Sequence, residues 1–265
     1  MGTGMGIVPD PTSMTGQPTP PTTFPGRGLS EAALFLDFDG TLVDIAAGPD
    51  LIKIPDRLPC LLADVHRATG GALALVSGRS VGALLKFLPN VPCTLVGGHG
   101  AEMRRDGQMY KHPLSDAPAT RSIGDACTDF AAGHAGLEAE LKPTGAVLHF
   151  RQAPHAEDAA RRFATRLCID WPDFELHDAK MAIELRPRDV GKDIAVTHLM
   201  EQPPFAGRRS VFFGDDRTDE PALALVAKAG GLSVHIGEGP SYAEFRLATP
   251  ADVLNTLTRW ITKEH

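Results

Sequence analysis

Cysteine is scarce in this chain: four residues among 265, at positions 60, 93, 127 and 168. None forms a CxxC pair, and none lies near a histidine at zinc-ligand spacing. That leaves no basis for a disulfide framework or a structural zinc site, and the four read as reduced, mostly buried thiols of a cytoplasmic protein. Positive charge is also in short supply. Twenty-six lysines and arginines face 33 acidic residues, for a formal net charge of -7, which argues against a general nucleic-acid binder. No apolar run is long enough to cross a bilayer, so no membrane association is expected. The N-terminus lacks the parts of a signal peptide: residues 1–28 carry six prolines, no early Lys or Arg and no apolar segment. Such a stretch cannot bury enough surface to offset the entropy of ordering it. Residues 1–28 therefore read as a disordered tail, with an expression remnant or a misassigned start as rival readings.

Composition is otherwise that of a globular protein, 43% hydrophobic and 22% charged, with enough chain for one large or two modest domains. After the tail, strand and helix alternate. Ala33-Leu34-Phe35-Leu36 is continuously apolar, as a strand covered on both faces should be. A helix is expected at 56–69, with Leu58, Leu61, Leu62, Val65 and Ala68 on one stripe. Leu73-Ala74-Leu75-Val76 is a second buried strand, a short helix near 80–88 follows, and Thr94-Leu95-Val96 is a third strand. Asp106-Gly107 reads as a hairpin turn. The middle of the chain changes character: helix 119–133, strands 137–142 and 146–151, helix 155–168, strands 174–178 and 181–186. Helix–strand–strand used twice suits a small α+β domain with one open sheet face. From Gly191 the first rhythm returns: helix 192–201, strand Val211-Phe212-Phe213, helix from Thr218, strand Leu232-Ser233-Val234, and a closing helix striped by Val253, Leu254, Leu257 and Ile261. An α/β protein, its parallel sheet interrupted by an inserted domain, is the economical reading.

Four short stretches carry chemistry. Asp37-Phe38-Asp39-Gly40-Thr41 directly follows a buried strand, where ligands of open α/β sheets bind. Carboxylates two residues apart leave a strand end on the same side, so one can be a nucleophile and the other an acid and base. A helix-capping Asp in an ordinary turn is the plainer alternative. Ser77-Gly78-Arg79 ends the next strand, and a hydroxyl beside a glycine amide is a phosphate cradle, although Ser-Gly turns are common. Lys192 follows Gly191 at an expected helix start, where a point cation can hold a phosphoryl group; a surface lysine is the commoner case. Gly214-Asp215-Asp216-Arg217-Thr218-Asp219-Glu220 crowds acidic groups at one strand end, which a bound cation would relieve. An acidic, solvated helix start would read the same way.

Together, in this order and each at a strand end, these stretches resemble the haloacid dehalogenase superfamily of phosphatases, from residue 30 to residue 262. The resemblance implies a Rossmann-like core at 29–112 and 187–265, with an inserted, mobile α+β cap at 113–186. It narrows further. Many sugar-phosphate phosphatases of the superfamily carry Gly-Asp-Ser-x-Asn-Asp in the fourth stretch, whereas Gly-Asp-Asp-Arg-Thr-Asp-Glu is similar to the trehalose-6-phosphate phosphatases. Gly98-His99-Gly100-Ala101-Glu102, His149-Phe150-Arg151-Gln152-Ala153-Pro154 and Glu184-Leu185-Arg186-Pro187 agree. Two features depart from the pattern. The tail has no counterpart, and Asp189-Val190-Gly191-Lys192 lacks the glycine that more often follows the lysine. The resemblance implies the stand-alone bacterial form, with no glycosyltransferase domain expected before the phosphatase.

The resemblance implies a Mg²⁺ ion held by the Asp37 carboxylate, the Asp39 main-chain carbonyl and Asp215. Asp37 would be the nucleophile, forming an aspartyl-phosphate, and Asp39 the acid and base. Ser77, Gly78 and Lys192 would bind the phosphate, with Asp216, Asp219 and Thr41 in support. Sugar contacts would come from Glu140, Lys142, Arg151, Lys180 and Glu184, with His99. Alternating Glu and Lys can equally be a solvated sheet face. The expected reaction is hydrolysis of trehalose 6-phosphate, the last step of trehalose biosynthesis, by a cytoplasmic monomer. The alternatives are action on sucrose 6-phosphate or mannosyl-3-phosphoglycerate, or a catalytically inactive sugar-phosphate sensor. An ion-pumping ATPase shares the aspartyl-phosphate logic but needs membrane helices that this sequence lacks.

Overall fold

The computed structural model describes residues 17–22, 24, 28–46, 48, 50–179 and 181–262. It contains two compact units, Met1–Met109 with Lys192–His265, and Tyr110–Gly191. No helix among the described residues is long and apolar enough to cross a membrane.

The first unit is built on β1 (Ala32–Leu36), α1 (Leu58–Ala68), β2 (Leu73–Val76), α2 (Val81–Phe87), β3 (Thr94–Gly97) and β4 (Glu102–Arg105), with β5 (Gln108–Lys111) straddling the division. Asp106 and Gly107, both at positive φ (50° and 78°), turn the chain from β4 into β5, as an Asp-Gly hairpin requires. The second unit holds α3 (Pro118–Ala132), β6 (Glu138–Lys142), β7 (Gly145–His149), α4 (Glu157–Asp170), β8 (Phe174–Ala179) and β9 (Ala182–Pro187). The chain then returns to the first unit with α5 (Lys192–Met200), β10 (Arg209–Gly214), α6 (Glu220–Lys228), β11 (Leu232–Ile236), β12 (Phe245–Leu247) and α7 (Pro250–Thr262).

The larger sheet has the order β12-β11-β10-β1-β2-β3-β4-β5. Every pairing from β12 to β3 is parallel, and β4 is antiparallel to β3. Side chains alternate across it. Leu34 and Leu36 join one apolar cluster with Leu62 of α1, Leu84 of α2 and Leu257 of α7. Ala33 and Phe35 join another with Leu199 of α5 and Leu223 of α6. Helices on both faces explain why these strands are apolar throughout. From β1 the chain builds outward to β2 and β3, then returns to lay β10 on the other side of β1. The order reverses between β1 and β10, and a crevice opens there beyond the strand ends.

The smaller sheet, β6-β7-β9-β8, is antiparallel throughout. One face carries Ala146, Leu148, Ile183 and Leu185 against Ile123 and Cys127 of α3 and Ala160 and Ala164 of α4. The opposite face bears Glu140, Lys142 and Glu184.

Part of the expected disordered tail is ordered. Phe24 is buried and meets the Trp260 ring edge-on at 5.3 Å. Trp260 Nε1 donates to the Pro21 carbonyl at 2.9 Å, and Arg246 N donates to the Pro18 carbonyl at 2.9 Å. Arg246 Nε also donates to Gln17 Oε1 at 2.8 Å. A buried indole needs an acceptor, and an extended proline-rich segment offers carbonyls without donors of its own to satisfy. Residues 1–16, 23 and 25–27 of the expected tail lie outside the described residues. Two smaller expectations also shift. Trp260, rather than the half-buried Ile261, anchors α7, and β12 is an additional strand.

Candidate active site

Asp37 leaves β1 at the point of order reversal. Its amide donates to the Phe213 carbonyl of β10 at 2.9 Å, which ties the end of β1 to the strand that leads into Asp215. The chain then folds back tightly, with Gly40 N donating to the Val43 carbonyl at 2.8 Å. Gly40 sits at φ 78°, and a Cβ there would lie 2.0 Å from Asp215 Oδ2. Only glycine lets the two acidic segments approach this closely. Thr41 is buried under the turn, and its hydroxyl has no partner among the described residues.

Lys192, the first residue of α5, is 4% exposed. Its Nζ lies 2.8 Å from Asp37 Oδ1 and 2.7 Å from Asp219 Oδ1. Burial opposes its charge, but the two carboxylates overcome that and raise its pKa. Asp219 is fully buried, and its other oxygen accepts from the amides of Asp215 and Asp216, both at 3.2 Å. Asp216 accepts from the amide and hydroxyl of Thr218 at 2.7 and 2.6 Å. Burial pushes Asp216 up, but these bonds, with Lys192, hold it below the usual carboxylate range.

Ser77, at the end of β2, is buried, and its Oγ accepts from the Arg79 amide at 3.1 Å. Its carbonyl accepts from the His99 amide at 2.9 Å. His99 adopts φ 58°, and a Cβ on Gly78 would strike its ring at 2.6 Å. Arg79 makes a contact that sequence reasoning missed: Nε and Nη2 lie 2.6 and 2.9 Å from the two oxygens of Asp39. Phe87 lies beneath the guanidinium at 5.3 Å. Arg79 belongs to the Ser77-Gly78-Arg79 stretch, but its partner is set by the fold and not by spacing.

Asp37, Asp39, Ser77, Lys192 and Asp215, with His99, line one cavity of about 600 Å³. The four sequence stretches thus converge. Carboxylate oxygens of Asp37, Asp215 and Asp219 lie within 4.8 Å of one another, with a single ammonium among them. Burial, then the charges of Asp37 and Asp216, push Asp215 up to about 8. Burial likewise raises Asp37 despite Lys192. Asp219 is committed to Lys192 and the two amides, so Asp37 and Asp215 are the carboxylates left to face a cation. Such a crowded, oxygen-only donor set fits a hard divalent ion.

In the second unit Glu140, Lys142 and Glu184 share the face opposite the helices. Lys142 Nζ lies 3.3 Å from Glu184 Oε1, and His149 Nε2 lies 2.9 Å from Glu140 Oε2. Arg151 lies just beyond β7 and lines a smaller cavity of about 340 Å³ with Glu138 and His149. Lys180 lies outside the described residues. His99 belongs to the first unit's cavity, not to this face.

Comparison with known proteins gives this arrangement a family. The trehalose-phosphatase family profile matches residues 35–251. The chain is 40% identical over 241 residues to the trehalose-6-phosphate phosphatase of Escherichia coli K12, covering 90% of each. Its fold is similar to a trehalose-6-phosphate phosphatase of Aspergillus fumigatus, with a TM-score of 0.76 at 23% identity over 94% of this chain and all of the other. It is also similar to a haloacid dehalogenase-like hydrolase of Bacteroides thetaiotaomicron, with a TM-score of 0.62 at 16% identity over 86% and 98% of the two chains. Both units of the fold fall within these matches, and this chain belongs to the trehalose-phosphatase family.

Proposed function

We propose that this chain hydrolyses trehalose 6-phosphate to trehalose and inorganic phosphate through an aspartyl-phosphate on Asp37. The observation that carries the reading is Lys192, which sits between Asp37 and Asp219 in the cavity that also holds Asp39 and Ser77. The substrate is taken from the 40% identical relative.

Asp37 attacks phosphorus, and the bond from phosphorus to the sugar oxygen breaks. Asp39 delivers a proton to that departing oxygen, then takes one from the water that attacks the phosphorus of the acyl phosphate. Phosphate leaves and the Asp37 carboxylate is restored. The Ser77 hydroxyl accepts from the Arg79 amide, which leaves its proton to donate to a phosphate oxygen, beside the Gly78 amide. Lys192 supplies the positive charge that a phosphoryl group needs as it transfers. Asp219 and Asp216 fix Lys192 and the loop that carries Asp215. Asp37 and Asp215, with the Asp39 main-chain carbonyl, would hold Mg²⁺. Bound there, the ion supplies charge neutralisation to the phosphate and the carboxylates. The sugar hydroxyls are read by Glu140, Lys142 and Glu184, with Arg151, Lys180 and His99 as further candidates.

Phosphate release with Mg²⁺ present, measured across trehalose 6-phosphate, sucrose 6-phosphate, mannosyl-3-phosphoglycerate, glucose 6-phosphate and p-nitrophenyl phosphate, tests the reading. Trehalose 6-phosphate should give the highest kcat/KM. A higher value for another member of the panel overturns the substrate assignment.

A further inference from the structure

The polar face of the second unit reaches further than the residues assigned to the sugar so far. Strand register places Glu140 opposite Val147, Val147 opposite Glu184, and Glu184 opposite His177. Directly opposed residues in antiparallel strands point to one side of the sheet. These four therefore form a single transverse row across β6, β7, β9 and β8, on the face away from α3 and α4. Three inter-strand spacings separate its ends, about 14 Å. A single hexose cannot touch both ends of such a row, whereas a disaccharide can.

His177 is not a loose surface histidine. Its Nε2 lies 2.6 Å from Glu175 Oε1, and the two side chains are only 34% and 30% exposed. Glu175 stands two residues back on the same strand, so both project from the same face. The carboxylate accepts from Nε2–H and fixes the ring, leaving Nδ1 as the polar ring atom available to a hydroxyl. At the other end of the row, Glu140 holds His149 in the same manner at 2.9 Å. Between the ends lie Val147, 4% exposed, as a floor, and Glu184, which pairs with Lys142 beside the row. Carboxylates, an imidazole and an ammonium around a small apolar floor are the donors and acceptors that a polyhydroxylated ligand requires.

We infer that His177, oriented by Glu175, is a specificity-determining residue that contacts a second sugar ring and so distinguishes disaccharide from monosaccharide phosphates. The inference rests on the trehalose 6-phosphate reading and deepens it. Two measurements test it. The first is the ratio of kcat/KM for trehalose 6-phosphate to that for glucose 6-phosphate. His177→Ala should lower this ratio by about ten- to a hundredfold, and His177→Gln, which keeps an amide in place of the ring, should recover part of it. An unchanged ratio overturns the inference. The second is a titration of the full chain with unphosphorylated trehalose, followed through the His177 imidazole NMR signals, which are identified by their loss in His177→Ala. These signals should shift on titration, and should shift less in Glu175→Gln. Absence of a shift also overturns the inference. If trehalose moves the His177 signals but trehalose 6-phosphate is not hydrolysed, the functional reading fails and the sugar site stands. If trehalose 6-phosphate is hydrolysed in preference to glucose 6-phosphate and His177→Ala keeps that preference, the sugar site fails and the function stands.

Discussion

Arg79 grips Asp39 with two arms of its guanidinium, Nε 2.6 Å from one carboxylate oxygen and Nη2 2.9 Å from the other. Such a fork fixes the plane of the carboxylate as well as its place. In the proposed mechanism Asp39 aims first at a departing sugar oxygen and then at a water, so its orientation would bear directly on the rate. Arg79→Met should lower kcat by about ten- to a hundredfold, with a smaller effect on KM. Arg79→Lys keeps the charge but not the fork, and should recover only a fraction. Steady-state kinetics on both variants check this. A change confined to KM would assign Arg79 to substrate binding instead.

Asp37 and Lys192 form a buried pair whose members have different roles in the proposed mechanism. Asp37→Asn is nearly isosteric but cannot attack phosphorus, so turnover should fall by about 10⁴-fold or more. Lys192→Ala leaves buried carboxylates without their ammonium, which costs about 3–5 kcal/mol in addition to activity. Thermal melts should therefore separate the two variants: near-parental for Asp37→Asn, clearly lowered for Lys192→Ala. Turnover by Asp37→Asn at a tenth of the parental rate would remove Asp37 as nucleophile.

The pH dependence of the chelated protein follows from Asp215. Its folded pKa of about 8 lies above the unfolded value of about 4. Between those two values the folded protein holds a proton that the unfolded chain has released. Stability from this group therefore falls as pH rises from about 4 to about 8, and the raised Asp37 and Asp219 act in the same direction. Chelated protein should melt lower at pH 8 than at pH 6, and Mg²⁺ should raise Tm more at pH 8. Asp215→Asn should weaken this dependence, raise the chelated Tm at pH 8 and abolish metal-dependent activity. A pH-independent Mg²⁺ effect on Tm would contradict the placement of the ion.

Deleting residues 1–28 should lower Tm while leaving activity at 25 °C unchanged. The deletion removes Phe24 from the edge of Trp260 and the Pro21 carbonyl from its indole. Losing that buried Phe contact and that hydrogen bond is by itself worth about 2–4 kcal/mol, or about 5–10 °C in a unit of this size, and the lost bonds from Arg246 to Pro18 and Gln17 add to it. Phe24→Ala alone should give a substantial part of the shift. An unchanged Tm would show that this packing contributes nothing.

That segment also marks where sequence reading reached its limit. Its composition describes an average, rich in proline and poor in apolar groups, whereas its packing depends on Phe24 finding one particular ring. The central strands were legible because helices cover both faces, so Ala33 to Leu36 could only be apolar. β12 was not, since Phe245–Leu247 is three residues long with an arginine in the middle and follows a loop rich in Gly and Pro. At the site, residue types and their strand-end positions pointed to Asp37, Ser77, Lys192 and Asp215 lining one cavity. The Arg79–Asp39 fork, spanning 40 positions, depends on a loop path that no local pattern encodes.

The pairing of β1 with β10 has a consequence for how the protein is made. Phe35 lies beside Phe212 in the sheet, and Asp37 meets Lys192 across 155 positions of sequence. A chain emerging from the ribosome presents β1, β2 and β3 with one edge of β1 open until the whole second unit has been synthesised. Closing so distant a contact is slow, and an open apolar edge invites pairing with other chains. The second unit has its own core and can fold during that interval. Asp37, the proposed nucleophile, gains Lys192 and Asp215 only after the returning segments dock. On the proposed mechanism, catalytic competence would therefore be acquired late in synthesis, and a truncated chain that retains Asp37 would carry none of it.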